Sequence, residues 1–210
     1  MNLYLDSLLQ SDMPKVRKWR NGSMYALRTP IMLTEGMQED FFHTQDHDRH
    51  TTDRYFAIRK GDRLIGQGGL TNIEWENRIA EISLIMDPKL RGKGYGRRSA
   101  DLLLAYGFNT LNLENIYGEV YTCNRAIGFW ETIAKGYNGY MTRLPGRKYW
   151  NGWYWDSIYF NVNRSGFIKV AETTSHTPDN SISGRVAWLL NGNRCTNSRA
   201  GALVNRGERR

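Results

Sequence analysis

A chain of 210 residues with 40% hydrophobic and 24% charged side chains carries enough apolar material for one buried core and excludes wholesale disorder. Its 29 Lys and Arg against 21 Asp and Glu, a net charge of +8, favour an anionic partner such as a phosphorylated ligand or a nucleic acid. Two distant cysteines, Cys123 and Cys195, give neither a disulfide framework nor a zinc site, and no signal-type segment or membrane-length apolar run occurs, so the expectation is a cytoplasmic protein without membrane contact.

SDMPKVRKWRN (11–21) predicts a short helix, with Ser11 or Asp12 as N-cap, Pro14 in the first turn and Val16 and Trp19 on one face. TEGMQEDFF (34–42) predicts a second helix, capped by Thr34 and acidic at its start. Glu35, Glu39, Asp40, Asp46 and Asp48 fall together with no Lys or Arg among them. Such a run suits either a solvated face or the holding of a cationic substrate. HTQDHDRH (43–50) gathers three histidines and two aspartates, but its spacing matches no zinc signature and it reads as a polar loop.

RYFAIRKGDRLIGQGGL (54–70) predicts a hairpin turning at Gly61-Asp62, and RIAEISLIM (78–86) a third strand that Pro88 ends. KLRGKGYGRRSA (89–100) then packs three glycines and five basic side chains into a strand-to-helix turn. It lacks the spacing of a P-loop, and Arg97 stands where a dinucleotide fingerprint needs its third glycine. Glycines permit positive φ and close approach of N–H groups, and a helix start adds positive potential, so the turn reads as a phosphate nest. A ligand-free turn with a solvated helix start is the alternative.

Ala100, Leu103, Leu104 and Phe108 form a helical stripe, IYGEVY (116–121) a strand, and NRAIGFWETIAK (124–135) a helix capped by Asn124. YNGYMTRL (137–144) and WYWDSIYFNV (153–162) close the sequence as two paired strands. Alternation buries half of the rings in 149–160 and leaves the others to stack on a substrate or nucleobase. The fold class is α+β (mixed α/β). From about Lys169 the composition turns to Ser, Thr, Asn, Gly and Arg, with one apolar segment, VAWLL (186–190). This predicts a partly disordered extension, with a basic arm for nucleic acid as the alternative.

Arg91, Gly94 and Gly96 match R-x-x-G-x-G between a strand and an amphipathic helix. Together with WRN (19–21), IGQGGL (65–70), NRIAEISLIMDP, AYGFNTLNLENIYGEVY and NRAIGFWE, the chain resembles the GNAT N-acetyltransferase superfamily, in the branch of ribosomal-protein N-terminal, spermidine and amino-sugar acetyltransferases. The resemblance covers about residues 2–165. It implies a GNAT domain over 1–168, a mostly antiparallel twisted sheet splayed at a bulge, and a separate basic polar extension over 169–210.

It further implies acetyl-CoA as cosubstrate, with no metal, and a primary-amine acceptor: a polyamine, an amino sugar or a protein N-terminus. The amides of Arg91, Gly92, Lys93, Gly94, Tyr95, Gly96 and Arg97 would grip the pyrophosphate. Leu84, Ile85 and Met86 would pair with the pantetheine arm and polarise the thioester, and Asn124 would hold that arm or simply cap its helix. Relatives place an acidic tyrosine where this chain has Trp130, whose indole N–H offers only a hydrogen bond; either another group serves, with Tyr137 as the candidate, or the thiolate leaves unassisted. Glu81 is the candidate base, one residue out of step with the glutamate of more distant relatives, so that a bulge must restore its face. Its alternative is a structural carboxylate facing Arg78 or the first helix. A base amine of nucleic acid is the competing acceptor, a non-catalytic acyl-CoA-binding module the competing class, and a homodimer is compatible with both.

Overall fold

The structure, a computed structural model, describes residues 3–28, 30–45 and 52–174. Seven strands build one sheet: β1 (Leu3–Asp6), β2 (Arg54–Lys60), β3 (Arg63–Glu74), β4 (Ile79–Met86), β5 (Asn115–Tyr121), β6 (Met141–Trp150) and β7 (Trp153–Asn163). Their order is β1-β2-β3-β4-β5-β7-β6. Five α-helices, beside short 3-10 and π turns, complete the described part: α1 (Met13–Asn21), α2 (Glu35–Thr44), α3 (Tyr95–Ala105), α4 (Ile127–Gly136) and α5 (Arg164–Thr174). Alternation along β4 divides the core between the two faces of the sheet. Ala80 and Ile82 join Leu103, Leu104, Phe108, Ile133 and Phe160 under α3 and α4, while Ile85 joins Val16 and Trp19 of α1. Full burial of a Leu, Ile or Phe side chain such as Leu103, Ile133 or Phe160 contributes roughly 1.5–3 kcal/mol.

All strand neighbours are antiparallel except β4 and β5, which run parallel and pair only where Ile79, Ala80 and Glu81 meet Asn115, Ile116 and Tyr117. Beyond Glu81 the two strands part into a fork. The bulge beside it lies on β3: that strand advances from Thr71 to Glu74 while β4 moves only from Glu81 to Ile79. Asn72, at φ 50°, carries the extra residue, a left-handed conformation that Asn tolerates better than most side chains.

Several elements follow the sequence closely. Thr34 Oγ1 accepts from Met37 N at 3.2 Å as the α2 cap, and Val16 and Trp19 are buried as the α1 stripe. Others differ. β1 and α5 are additional to the expected elements, and α5 crosses the expected boundary at 168, with Phe167 fully buried and Val170 against the core. α4 begins at Ile127 rather than Asn124, and α3 ends at Ala105, after which Phe108 sits in a π turn. The strand expected over 137–144 begins at Met141 and continues to Trp150, turning into β7 through Asn151-Gly152, both at positive φ. Residues 46–50 of HTQDHDRH and the extension from 175 onward lie outside the described residues. Among the described residues no group of His, Cys, Asp and Glu could hold a metal ion, and no helix is long and apolar enough to cross a membrane.

Candidate active site

The glycine turn joins β4 to α3. Gly92 and Gly94 adopt φ 74° and 77°, and a Cβ built on either meets nothing within 4 Å, so backbone conformation, not crowding, calls for glycine here. Gly94 is the N-cap of α3. The first N–H groups of a helix lack intrahelical acceptors and carry its positive end, which suits them to phosphate. Open space above the turn and the nearby Arg91, Lys93 and Arg98 fit a pyrophosphate. The side chains divide the work. Arg91 Nη2 donates to Ser23 Oγ at 3.3 Å, and Lys60 Nζ donates to Tyr95 Oη at 2.6 Å, which lowers the phenol's pKa. Arg97 turns inward, donating to Asp101 Oδ1 at 2.9 Å and Thr132 O at 3.4 Å. Only its main chain can serve a ligand of the turn.

On β4, Asp87 N–H is bonded to Ile65 O of β3 at 2.9 Å. Hydrogen bonding alternates along an antiparallel strand, so the Ile85 amide also faces β3 while those of Leu84 and Met86 face the fork. Ile85 contributes its side chain to the α1 core instead. Asn124 Oδ1 accepts from Ala126 N at 2.9 Å, an Asx-type turn that precedes α4 and replaces the expected helix cap. Trp130 stacks on Phe160 at 5.0 Å and meets Phe129 edge-on at 4.7 Å.

Glu81 stands at the fork, on the α1 face of the sheet, and its side chain is only 13% exposed. Its Oε1 accepts from Arg28 Nη2 at 2.6 Å and its Oε2 from Asn72 Nδ2 at 3.0 Å. Burial pushes this carboxyl above its ordinary pKa, and Arg28 and Asn72 pull it only partly back. The bulge at Asn72 thus supplies a direct partner to Glu81. Arg78, one of the two neighbours that a structural role for Glu81 offered, bonds Asn112 and faces Glu114 instead.

A second carboxylate joins the first. Arg28 Nη2 also donates to Glu119 Oε2 at 3.3 Å, while Ser157 Oγ and Arg147 Nε donate to Glu119 Oε1 at 2.6 and 3.0 Å. Burial raises the Glu119 pKa, but these hydrogen bonds outweigh it and leave the carboxyl below its ordinary value. Tyr117 stacks on Tyr159 at 5.4 Å beside the pair. Arg28, Asn72, Glu119, Arg147 and Ser157 escape the sequence reading because each comes from a different element. The one local signal is the alternation Tyr117, Glu119, Tyr121, which puts an acid between two rings on one face of β5.

Tyr137 lies elsewhere. It is fully buried in the cluster under α3 and α4, across the sheet from Glu81. Its hydroxyl donates to Asp101 Oδ1 at 2.9 Å, and burial, followed by the charge of Asp101, raises its pKa far above that of a free phenol. Its proton is committed to a carboxylate inside the core.

A family model described as an acetyltransferase (GNAT) domain matches residues 2–128. The spermidine N(1)-acetyltransferase of Vibrio cholerae serotype O1 is 28% identical over 155 residues, 73% of this chain and 86% of that protein. The corresponding protein of Escherichia coli K12 is 33% identical over 78 residues, 37% of this chain and 41% of its own length. Among solved structures, the spermidine N-acetyltransferase of Vibrio cholerae in complex with CoA and spermine matches with a TM-score of 0.70 at 26% identity, over 79% of this chain and 98% of that one. The sheet that forks beside a glycine turn and the match over residues 2–128 of 210 agree: the chain belongs to the GNAT family of acetyltransferases and is an acyl-CoA-dependent N-acetyltransferase.

Proposed function

We propose that the acceptor is a polyamine, that Glu81 is the general base and that Trp130 lines the coenzyme arm without donating a proton. The observation that carries this reading is the buried carboxylate pair Glu81 and Glu119 at the point where β4 and β5 part. Two carboxylates among tyrosine rings favour an organic cation over an anion. The relatives named for spermidine support the same choice.

Bound acetyl-CoA supplies the thioester. The main chain of residues 91–97 holds its phosphates, the outward amides of Leu84 and Met86 bind its arm and stabilise the developing oxyanion, and Asn124 steadies the arm through its Nδ2. Glu81 takes the proton of the acceptor ammonium, which frees a lone pair to attack the thioester carbonyl. A carboxyl with a raised pKa is better suited to that task than an ordinary one. The departing thiolate, with its modest basicity, leaves without a dedicated acid as the C–S bond breaks, and the nitrogen's second proton passes through solvent. The free Cys123 thiol suits a reducing compartment, and the cytoplasm is the location we infer.

Thiol release from acetyl-CoA with spermidine, spermine, an amino-sugar nucleotide, a peptide and DNA as acceptors tests the assignment. Turnover with the polyamines is expected. Turnover confined to another amine would reject it.

A further inference from the structure

The loop between α1 and α2 leads directly to the carboxylate pair. Asn21 closes its base, its Nδ2 donating to Leu33 O at 3.0 Å and its Oδ1 accepting from Leu33 N at 2.8 Å. Three further groups pin it along its length. Arg91 bonds Ser23, the Cys123 thiol donates to Tyr25 O at 3.2 Å, and Lys148 Nζ donates to Leu27 O. Lys148 is itself buried, its ammonium lying over the rings of Tyr121 and Trp150. The loop is therefore fixed as far as Leu27, and the next residue sends a side chain into the site.

That side chain, Arg28, is 50% exposed, whereas the carboxylates it bridges are 13% and 6% exposed. A single nitrogen serves both. Without it neither carboxylate is stranded: Glu81 keeps Asn72, and Glu119 keeps Ser157 and Arg147. What changes is the charge. Among the described residues that bond the two carboxylates, Arg147 would remain the one cation, in a site where Tyr117, Tyr121 and Tyr159 stand close enough for the acids to raise their pKa values, after burial. Such a site attracts a cation.

The geometry points to Arg28 as an internal occupant of the acceptor's ammonium seat, which an incoming polyamine must displace from Glu81 and Glu119 before its amine reaches the fork. The inference rests on the polyamine reading. Because the main chain is pinned through Leu27, displacement is a rotation of one side chain and needs no melting of the loop. Arg28 is thus a specificity-determining residue: acceptors with too little positive charge to take its place are refused.

A site occupied by its own side chain binds ligand more weakly by the fraction of time it stands open. Calorimetric titration of spermidine into the CoA-saturated full chain is therefore expected to show Arg28→Ala binding about tenfold more tightly than wild type. Its KM for spermidine should fall in step, with KM for acetyl-CoA unchanged. Guanidinium chloride should compete with spermidine in R28A at lower concentrations than in wild type. Arg28→Gln carries the same expectation, and circular dichroism identifies any variant that fails to fold. Spermidine binding that is unchanged or weaker in folded R28A and R28Q overturns the inference. A wild-type protein that turns over no polyamine, while R28A gains spermidine affinity, overturns the acceptor assignment and leaves Arg28 as the occupant of a cation seat.

Discussion

Tyr137 and Asp101 meet inside the core, 36 positions apart in sequence, through a hydrogen bond of 2.9 Å that the phenol donates. Arg97 holds the same carboxylate oxygen and lies over the Tyr137 ring at 5.2 Å. The trio locks the start of α3 to the end of α4, beneath the glycine turn. Tyr137→Phe removes one donor from a buried carboxylate and is expected to lower stability by about 1–3 kcal/mol. Its kcat should stay close to wild type, because the hydroxyl is remote from the fork. Urea denaturation and thiol release check both halves, and a large fall in kcat in the folded variant would return Tyr137 to the chemistry.

Glu81→Gln keeps the shape of the side chain and its contact with Asn72 but cannot take a proton. A loss of about 100-fold to 10,000-fold in kcat is expected, the usual range for a general base, with acetyl-CoA affinity unchanged. The acid limb of kcat/KM in the wild type should lie above the ordinary carboxylate range, because burial raises this pKa. It should vanish in the variant. The stability sign follows from the same shift. A carboxyl whose pKa is raised in the folded state favours folding below its unfolded value and loses that contribution as pH rises through its folded value. Denaturation midpoints measured from acid to neutral pH should therefore decline less in E81Q.

Gly94→Ala places a side chain at φ 77° where space is open, so its cost is conformational, about 1–2 kcal/mol. A rise of roughly tenfold in KM for acetyl-CoA is expected, since 1.4 kcal/mol corresponds to tenfold in affinity. Gly94→Asn, which tolerates the left-handed region better, should recover part of the loss. Equal KM in G94A and wild type would mean that the turn does not depend on this backbone geometry.

Leu3→Ala tests whether the short first strand belongs to the core. Leu3 is 3% exposed and packs with Ile58 and Ile65. A loss of about 2–5 kcal/mol is the usual consequence of such a truncation, visible as a lower urea midpoint.

The glycine turn, the helix stripes and the central strands were legible because each is local: period, caps and turn residues lie within a dozen positions. β1 was not, since four residues give too little alternation to stand out, and its pairing with Lys60 and Ala57 is decided by a neighbouring strand far along the chain. α5 was masked by the polar composition around it, although Phe167 anchors it. The site itself was half legible. Glu81 could be read from a strand that leads into the turn, but its partners Arg28, Asn72 and Glu119 arrive from a loop, a bulge and a parallel neighbour that no spacing rule connects. Trp130, suspect as a missing acid, has an apolar task that its sequence context did not disclose: it covers the ring of Phe160.

Mechanically, the parallel seam between β4 and β5 makes the sheet two plates, β1 to β4 and β5 to β7, fastened at one corner by Ile79, Ala80 and Glu81. Short seams open at lower free energy than long ones, so amide exchange should be fastest along this line. A ligand lodged in the fork acts as a rivet between the plates. Saturation with CoA should then slow exchange across the whole seam and raise the melting temperature as ligand concentration climbs above its Kd, a stiffening of the entire molecule by a contact at its centre.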